Sequence, residues 1–336
     1  MRWLVRLIAL LVLLTTTLLL IDRWQMRDRF DTLTPLDPLP HTQELIAQNH
    51  WAEAETYLGY FIEHNSTAIT PQARELLSAI HAKRQSWEYK AKALLNGAVT
   101  GKGDELAGMI GAGVADLFVV GDLRDLVIEG NHWLNGEKVD EVILALSSLG
   151  VAATAATIST AGGAGGIKGS LSLLKSMRRG RLLPAWLLKA LARLPDASDT
   201  RRAANALMEP IADLYHSSGF LGARAILSRS KSLKELEKMR FFAKRFGRES
   251  AVLLRIDPTA MRLAEHLPAR TITRASLYGK PGFRVLARRV AYTARLSKYI
   301  SKHYQQLLRM VPLWLLIVMW GGALVTLLAA FRRRRQ

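Results

Sequence analysis

The feature that most constrains this chain lies at its C-terminal end. Val311–Phe331, VPLWLLIVMWGGALVTLLAAF, runs for 21 residues without a charge, and 14 of them are large and apolar. About 20 apolar residues in one helix match the hydrocarbon thickness of a bilayer. Such a helix has no face to offer water, so 311–331 is expected to cross a membrane. Arg332–Arg335 follow at once and make 332–336 a basic tail. Clustered arginines beside a span mark its cytoplasmic side. Trp314 and Trp320 add aromatic character, although Trp320 falls near mid-span rather than at an interface.

The N-terminus is apolar too. Arg2 and Arg6 precede Leu7–Ile21, in which 11 of 15 residues are large aliphatics. The layout is that of a secretory signal, but the run ends in LLLIDRW with no small-x-small cleavage site. Residues 1–22 are therefore expected to be an uncleaved signal anchor, lengthened by Trp3 and Leu4, with Arg6 reaching back to the headgroups. Two spans with both ends in the cytoplasm put residues 22–310 in the periplasm, beside a bacterial inner membrane. A third charge-free stretch, Val142–Ile167, differs in kind. Only 8 of its 26 residues are large aliphatics, and 18 are Ala, Gly, Ser or Thr. It reads as a small-residue core helix, Val142–Ile158, followed by a hinge at Ala161–Gly166.

Charge divides the chain in two. Residues 1–167 hold 13 Lys+Arg against 19 Asp+Glu, and residues 168–309 hold 30 against 9. A strongly basic half implies an anionic partner. Nucleic-acid binding would show a helix-turn-helix, an RNA-binding module or aromatic stacking positions among the cations; none is present, so nucleic acid is not expected. Helices with basic and apolar faces beside a span point to the lipid bilayer, with anionic phospholipid as the partner and a membrane protein as a second one. The absence of cysteine excludes disulfides, thiolate metal sites and a cysteine nucleophile.

Between the ends the expected class is all-α: an irregular helical domain held between N- and C-terminal transmembrane helices. Residues 23–40 contain TLTPLDPLP and read as an extended linker. Residues 41–100 form a helical hairpin region. Leu45, Trp51, Ala54, Tyr57, Leu58 and Phe61 fall at helical spacing, and Thr70-Pro71 starts a further helix as N-cap and first turn. Residues 101–167 are rich in Gly and Ala. Residues 168–310 are basic, with helices expected at Ile167–Met177, Leu182–Leu194, Thr200–Ser217, Leu221–Phe246, Pro258–His266 and Gly282–Met310. The capping box Ser232-x-x-Glu235 marks a break inside the fourth of these.

Two short stretches resemble known families. Leu45–Ile80, with an aromatic, an Ala, Tyr-Leu and then a second helix, resembles a tetratricopeptide-type helical hairpin. Gly113–Gly150 resembles the pre-toxin segment of polymorphic bacterial toxins through Val120-Gly121-Asp122, Asp125-Leu126, Gly130, Gly136-Glu137 and Ala145-Leu146. That resemblance implies a helical, glycine-hinged element near a membrane and nothing catalytic. The whole has the layout of a bacterial inner-membrane protein.

No catalytic, cofactor-binding or metal-ligating residue is assigned. The eight histidines show no H-E-x-x-H spacing, the paired serines lack a G-x-S-x-G elbow, and the glycines from Gly101 to Gly113 lack a Gly-Lys-Ser/Thr ending. On a helix Asp122, Asp125 and Glu129 share one face. They would either line a polar groove or form salt bridges with the basic half, and the cation surplus favours salt bridges. The expected function is a membrane-anchored, non-enzymatic scaffold or assembly factor whose helical domain lies against the bilayer. The alternative is a pore-forming or toxin-associated effector that inserts through 106–167.

Overall fold

A computed structural model of the chain describes residues 8–13, 15–17, 20, 30, 32–64, 66–91, 125, 127–129, 131–132, 134–135, 139–149, 165–194, 200–297 and 313–332; side chains at 165–168, 200–201, 292–297, 313 and 327–332 are outside that description. The described residues are predominantly helical, with no strand among them, as the all-α expectation required. Contacts divide the chain into two compact units. One is Pro35–Gly279; the other joins Met1–Thr34 to Lys280–Gln336.

The larger unit begins with α1 (Leu39–Ala47), α2 (Trp51–Glu63) and α3 (Pro71–Gln85). Thr70 caps α3, its hydroxyl accepting the Ala73 N–H at 3.3 Å. On α2 the residues Ala54, Tyr57, Leu58 and Phe61 are buried, at the helical spacing read from the sequence. The helix that starts at Thr70-Pro71 breaks at Ser86 and resumes over 87–91.

After a partly described stretch, in which 141–149 are helical, come α4 (Gly165–Arg179), α5 (Ala185–Ala192) and the long α6 (Thr200–Leu227). They are followed by α7 (Leu233–Phe246), a 3-10 turn at Gly247–Glu249, α8 (Ser250–Ile256), α9 (Thr259–Ala264) and α10 (Ala269–Ser276). Helix α6 is the axis of this unit and packs on α4, α7 and α8. Its buried positions, Ala204, Leu207, Met208, Ile211 and Leu214, follow the helical repeat. Gly169 of α4 allows close approach, because a Cβ there would lie 2.4 Å from a ring carbon of Tyr215. The break expected at Ser232 is present: its hydroxyl accepts the Glu235 N–H at 3.2 Å, and α7 starts one residue later.

Sequence periodicity suggested two helices, ending at Ser217 and starting at Leu221. The structure has that break: α6 is two helical runs that meet at a sharp kink at Gly219, where the backbone is non-helical, with φ 67° and ψ −175°. Side chains essentially do not enter that region. Gly219→Ala is expected to lower the unfolding free energy by about 1–3 kcal/mol from backbone strain alone, since a Cβ there meets only the Arg248 Cγ at an ordinary 3.7 Å. Urea titration followed by far-UV circular dichroism measures it, and an unchanged midpoint would refute the strain argument.

Gly165 and Gly166, expected in a hinge, form the first turn of α4; 161–164 lie outside the described residues. The expected core helix Val142–Ile158 is described over 141–149, where Val142, Ile143 and Leu146 are buried. The proline-rich stretch is non-helical from 34 to 38, and α1 begins at Leu39, inside the expected linker. The Leu36 N–H donates to the Leu277 carbonyl at 2.8 Å, and the Leu36 side chain lies 3.3 Å from where a Cβ on Gly279 would sit. The chain thus enters and leaves the larger unit at neighbouring points.

The smaller unit contains helical pieces at 8–13 and 15–17, most of α11 (Gly279–Ser297) and α12 (Leu313–Arg332). Thr15, Thr16 and Thr17 each donate a hydroxyl to the carbonyl four residues back, at 2.7–2.8 Å. That satisfies the hydroxyls within their own helix. The Trp320 indole N–H donates to Thr17 Oγ1 at 2.9 Å, joining the two ends of the sequence. The buried positions are spaced by seven on each side, Ala9 with Thr16 and Leu316 with Ala323. Spacing by seven puts the two residues of each pair on one face of their helix. Trp320, misplaced for an interface anchor, therefore has a role as a cross-link between helices.

Among the described residues no helix is long and apolar enough to cross a membrane. The N-terminal run is described only in pieces, and the side chains of α12 only over 314–326.

Candidate ligand cleft

Helix α2 buries one acid among its apolar residues. Glu53 lies at i, i+4, i+7 and i+8 with Tyr57, Tyr60 and Phe61, and its side chain is only 8% exposed. A carboxylate taken out of water must be paired. Glu53 is paired twice, with Arg224 of α6 and Arg255 of α8. Arg224 belongs to the segment of α6 beyond the Gly219 kink, so the kink sets which way it points. His50, at the start of α2, places Nδ1 3.9 Å from the same carboxylate. Arg255 also approaches His41 Nε2 at 3.4 Å. One buried carboxylate thus ties three helices together.

Around this group opens a cleft of about 480 Å³, walled by Leu45, Tyr57, Leu182, Leu221, Ala251 and Val252. Arg229 stands at its rim, with Nη1 donating to the Ala225 carbonyl at 2.7 Å and Nη2 to the Leu254 carbonyl at 3.3 Å. Burial, and secondarily the charge of Asp37, push the Tyr57 hydroxyl up to about 12, so it stays a neutral donor. Near by, the Tyr60 hydroxyl meets the Ser276 hydroxyl at 2.5 Å, and burial raises its pKa above the usual phenol range. His64 Nε2 lies 2.9 Å from Glu249.

The acidic set from the sequence is placed in part. Asp125 accepts from Lys175 at 3.1 Å and from Arg179 at 2.8 Å. Arg178 bonds Asp140 at 2.9 Å. These are the salt bridges to the basic half that the charge balance favoured. Glu129 instead accepts the Asp140 N–H at 2.8 Å, and Asp122 lies outside the described residues. His50 and His64 sit at opposite ends of α2 and do not meet. No group of three or more His, Asp or Glu among the described residues is arranged to hold a metal ion.

The cleft itself was not read from the sequence. The available signal was Glu53 on the apolar stripe of α2, since an acid among buried positions demands a cation from elsewhere. That cation, Arg224, is 171 residues away. With this geometry in view, no family model matches the chain, and no curated protein or solved structure matches it either.

Proposed function

We propose that the chain is a membrane-anchored, non-enzymatic scaffold or assembly factor, held in the bilayer by a hairpin made from its own two ends. The carrying observation is the pairing of those ends through Trp320 and Thr17 while their other faces stay open. Leu10, Leu11, Trp314, Ile317, Val318 and Val325 are each more than half exposed. Apolar surface left in water costs about 25 cal/mol per Å², and lipid tails remove that cost. A tryptophan–threonine hydrogen bond suits the same setting, because an apolar medium offers neither group another partner.

Arg332–Arg335 orient the hairpin with both termini cytoplasmic and the body periplasmic, where its cation surplus meets anionic phospholipid or a membrane protein. The pore-forming alternative requires 106–167 to leave the body. That would extract Asp125 and Asp140 from their pairs with α4, which favours the scaffold.

The cysteine-free chain makes the test direct. Thr67→Cys and Lys238→Cys, both exposed positions, are expected to react with an impermeant maleimide from the periplasmic side, and Gln336→Cys only after the membrane is opened. The protein should also resist carbonate extraction. Labelling of 67 and 238 from opposite sides, or of 336 from the same side as 238, would overturn the topology.

A further inference from the structure

We infer that the cleft between α2, α6 and α8 binds an amphipathic anion: a phosphate or carboxylate head carried on an apolar body. The charges argue for the head. Three guanidiniums, Arg224, Arg229 and Arg255, line the cleft beside the Glu53 carboxylate, which two of them engage, and the charge of Glu44 acts on Arg255 from outside the lining. Arg229 bonds only backbone carbonyls, from α6 and from α8. Those bonds hold its fork in place before any ligand arrives, and a guanidinium fork matches the oxygens of phosphate and carboxylate. Arg229 and Arg255 are both exposed at the rim and so within reach of a ligand.

The walls argue for the body. Leu45, Leu221 and Val252 line the cleft, and Leu182, 46% exposed, closes one side. An exposed leucine beside fixed cations is placed to cover a ligand's apolar part. About 480 Å³ is the size of a small-molecule site. A cation finds only an already neutralised carboxylate here, and a bare inorganic anion leaves the apolar wall in water. All these residues belong to the unit 35–279, so the inference does not rest on membrane anchoring.

The test is isothermal titration calorimetry on the purified full-length chain in neutral detergent. The probes are hexyl phosphate, octanoate, dihexanoyl phosphatidate, inorganic phosphate and dihexanoyl phosphatidylcholine. At least one anionic amphiphile is expected to saturate a single site, with inorganic phosphate about tenfold weaker or worse. Arg229→Met should weaken the binding by about tenfold or more, the loss expected for a charged hydrogen-bond pair, while the exposed Lys238→Met leaves it unchanged. Ser228→Glu, at an exposed rim position, sets a carboxylate beside Arg229 and should abolish binding even if Arg229→Met folds poorly. Binding of hexyl phosphate or octanoate alone marks a soluble ligand, and binding of phosphatidate alone marks a lipid headgroup; either upholds the inference. It is overturned if no anion saturates, if phosphatidylcholine binds equally well, or if binding survives both substitutions.

Discussion

Replacing Glu53 with alanine is expected to lower the unfolding free energy by about 3–5 kcal/mol, the usual cost of removing one partner from a buried ion pair. The magnitude follows from burial. The Glu53 side chain is 8% exposed and that of Arg224 15%, so the arginine cannot turn to water once its carboxylate is gone. Arg255, 35% exposed, recovers part of its hydration. The triple change Glu53→Met, Arg224→Met and Arg255→Leu should cost far less than the single one, because it leaves no uncompensated charge. Asp213 supplies the contrast. It pairs with Arg240 at 2.7 Å and Lys244 at 3.3 Å but is 31% exposed. Burial pushes its carboxyl up, yet hydrogen bonds and charge from Arg240 and Lys244 outweigh that and hold it below the ordinary value. Its stabilisation is therefore complete above about pH 4 and fades as the pH falls through the lowered folded-state value. Asp213→Asn should cost about 1 kcal/mol or less at neutral pH. Urea denaturation of the three variants decides the matter. Equal costs for Glu53→Ala and Asp213→Asn would mean that burial does not set the value of these pairs.

What the sequence disclosed was local. Thr70 and Ser232 announce helix starts because a cap needs only residues within one turn, and both hydroxyls accept the expected N–H. The apolar stripe of α2 was legible for the same reason. The break between Ser217 and Leu221 was legible as well, because Gly219 takes a positive φ that interrupts the helical backbone at that point. The charge pairs divide along the same line. A surplus of cations in one half and acids in the other made inter-half salt bridges the better expectation, and Asp125 and Asp140 have them. Which cation meets which acid depends on the fold. Glu53 could have found any of the basic half's 30 lysines and arginines. Only the packing of α2 on α8, and the turn of α6 at Gly219, select Arg224 and Arg255. The cleft follows from that selection and so was invisible before it.

Asp125→Ala is expected to match the Glu53 effect, at about 3–5 kcal/mol. Lys175 and Arg179 are one helical turn apart on α4 and reach the same carboxylate. The side chains of Asp125 and Lys175 are each 8% exposed. Removing the acid leaves the ammonium of Lys175 facing a site that has lost its carboxylate, while Arg179, 26% exposed, is partly hydrated already. The double change Asp125→Leu with Lys175→Met should recover most of the loss. The pair also separates the two functional readings. It pins the segment around Asp125 to α4, so an effector that inserts through 106–167 must first break it. In that reading Asp125→Asn, which keeps the shape and removes the charge, should speed dye release from phosphatidylglycerol vesicles. A scaffold has no reason to release dye at all, and Asp125→Asn should then only lower the urea midpoint. Accelerated leakage would transfer the assignment from scaffold to membrane effector.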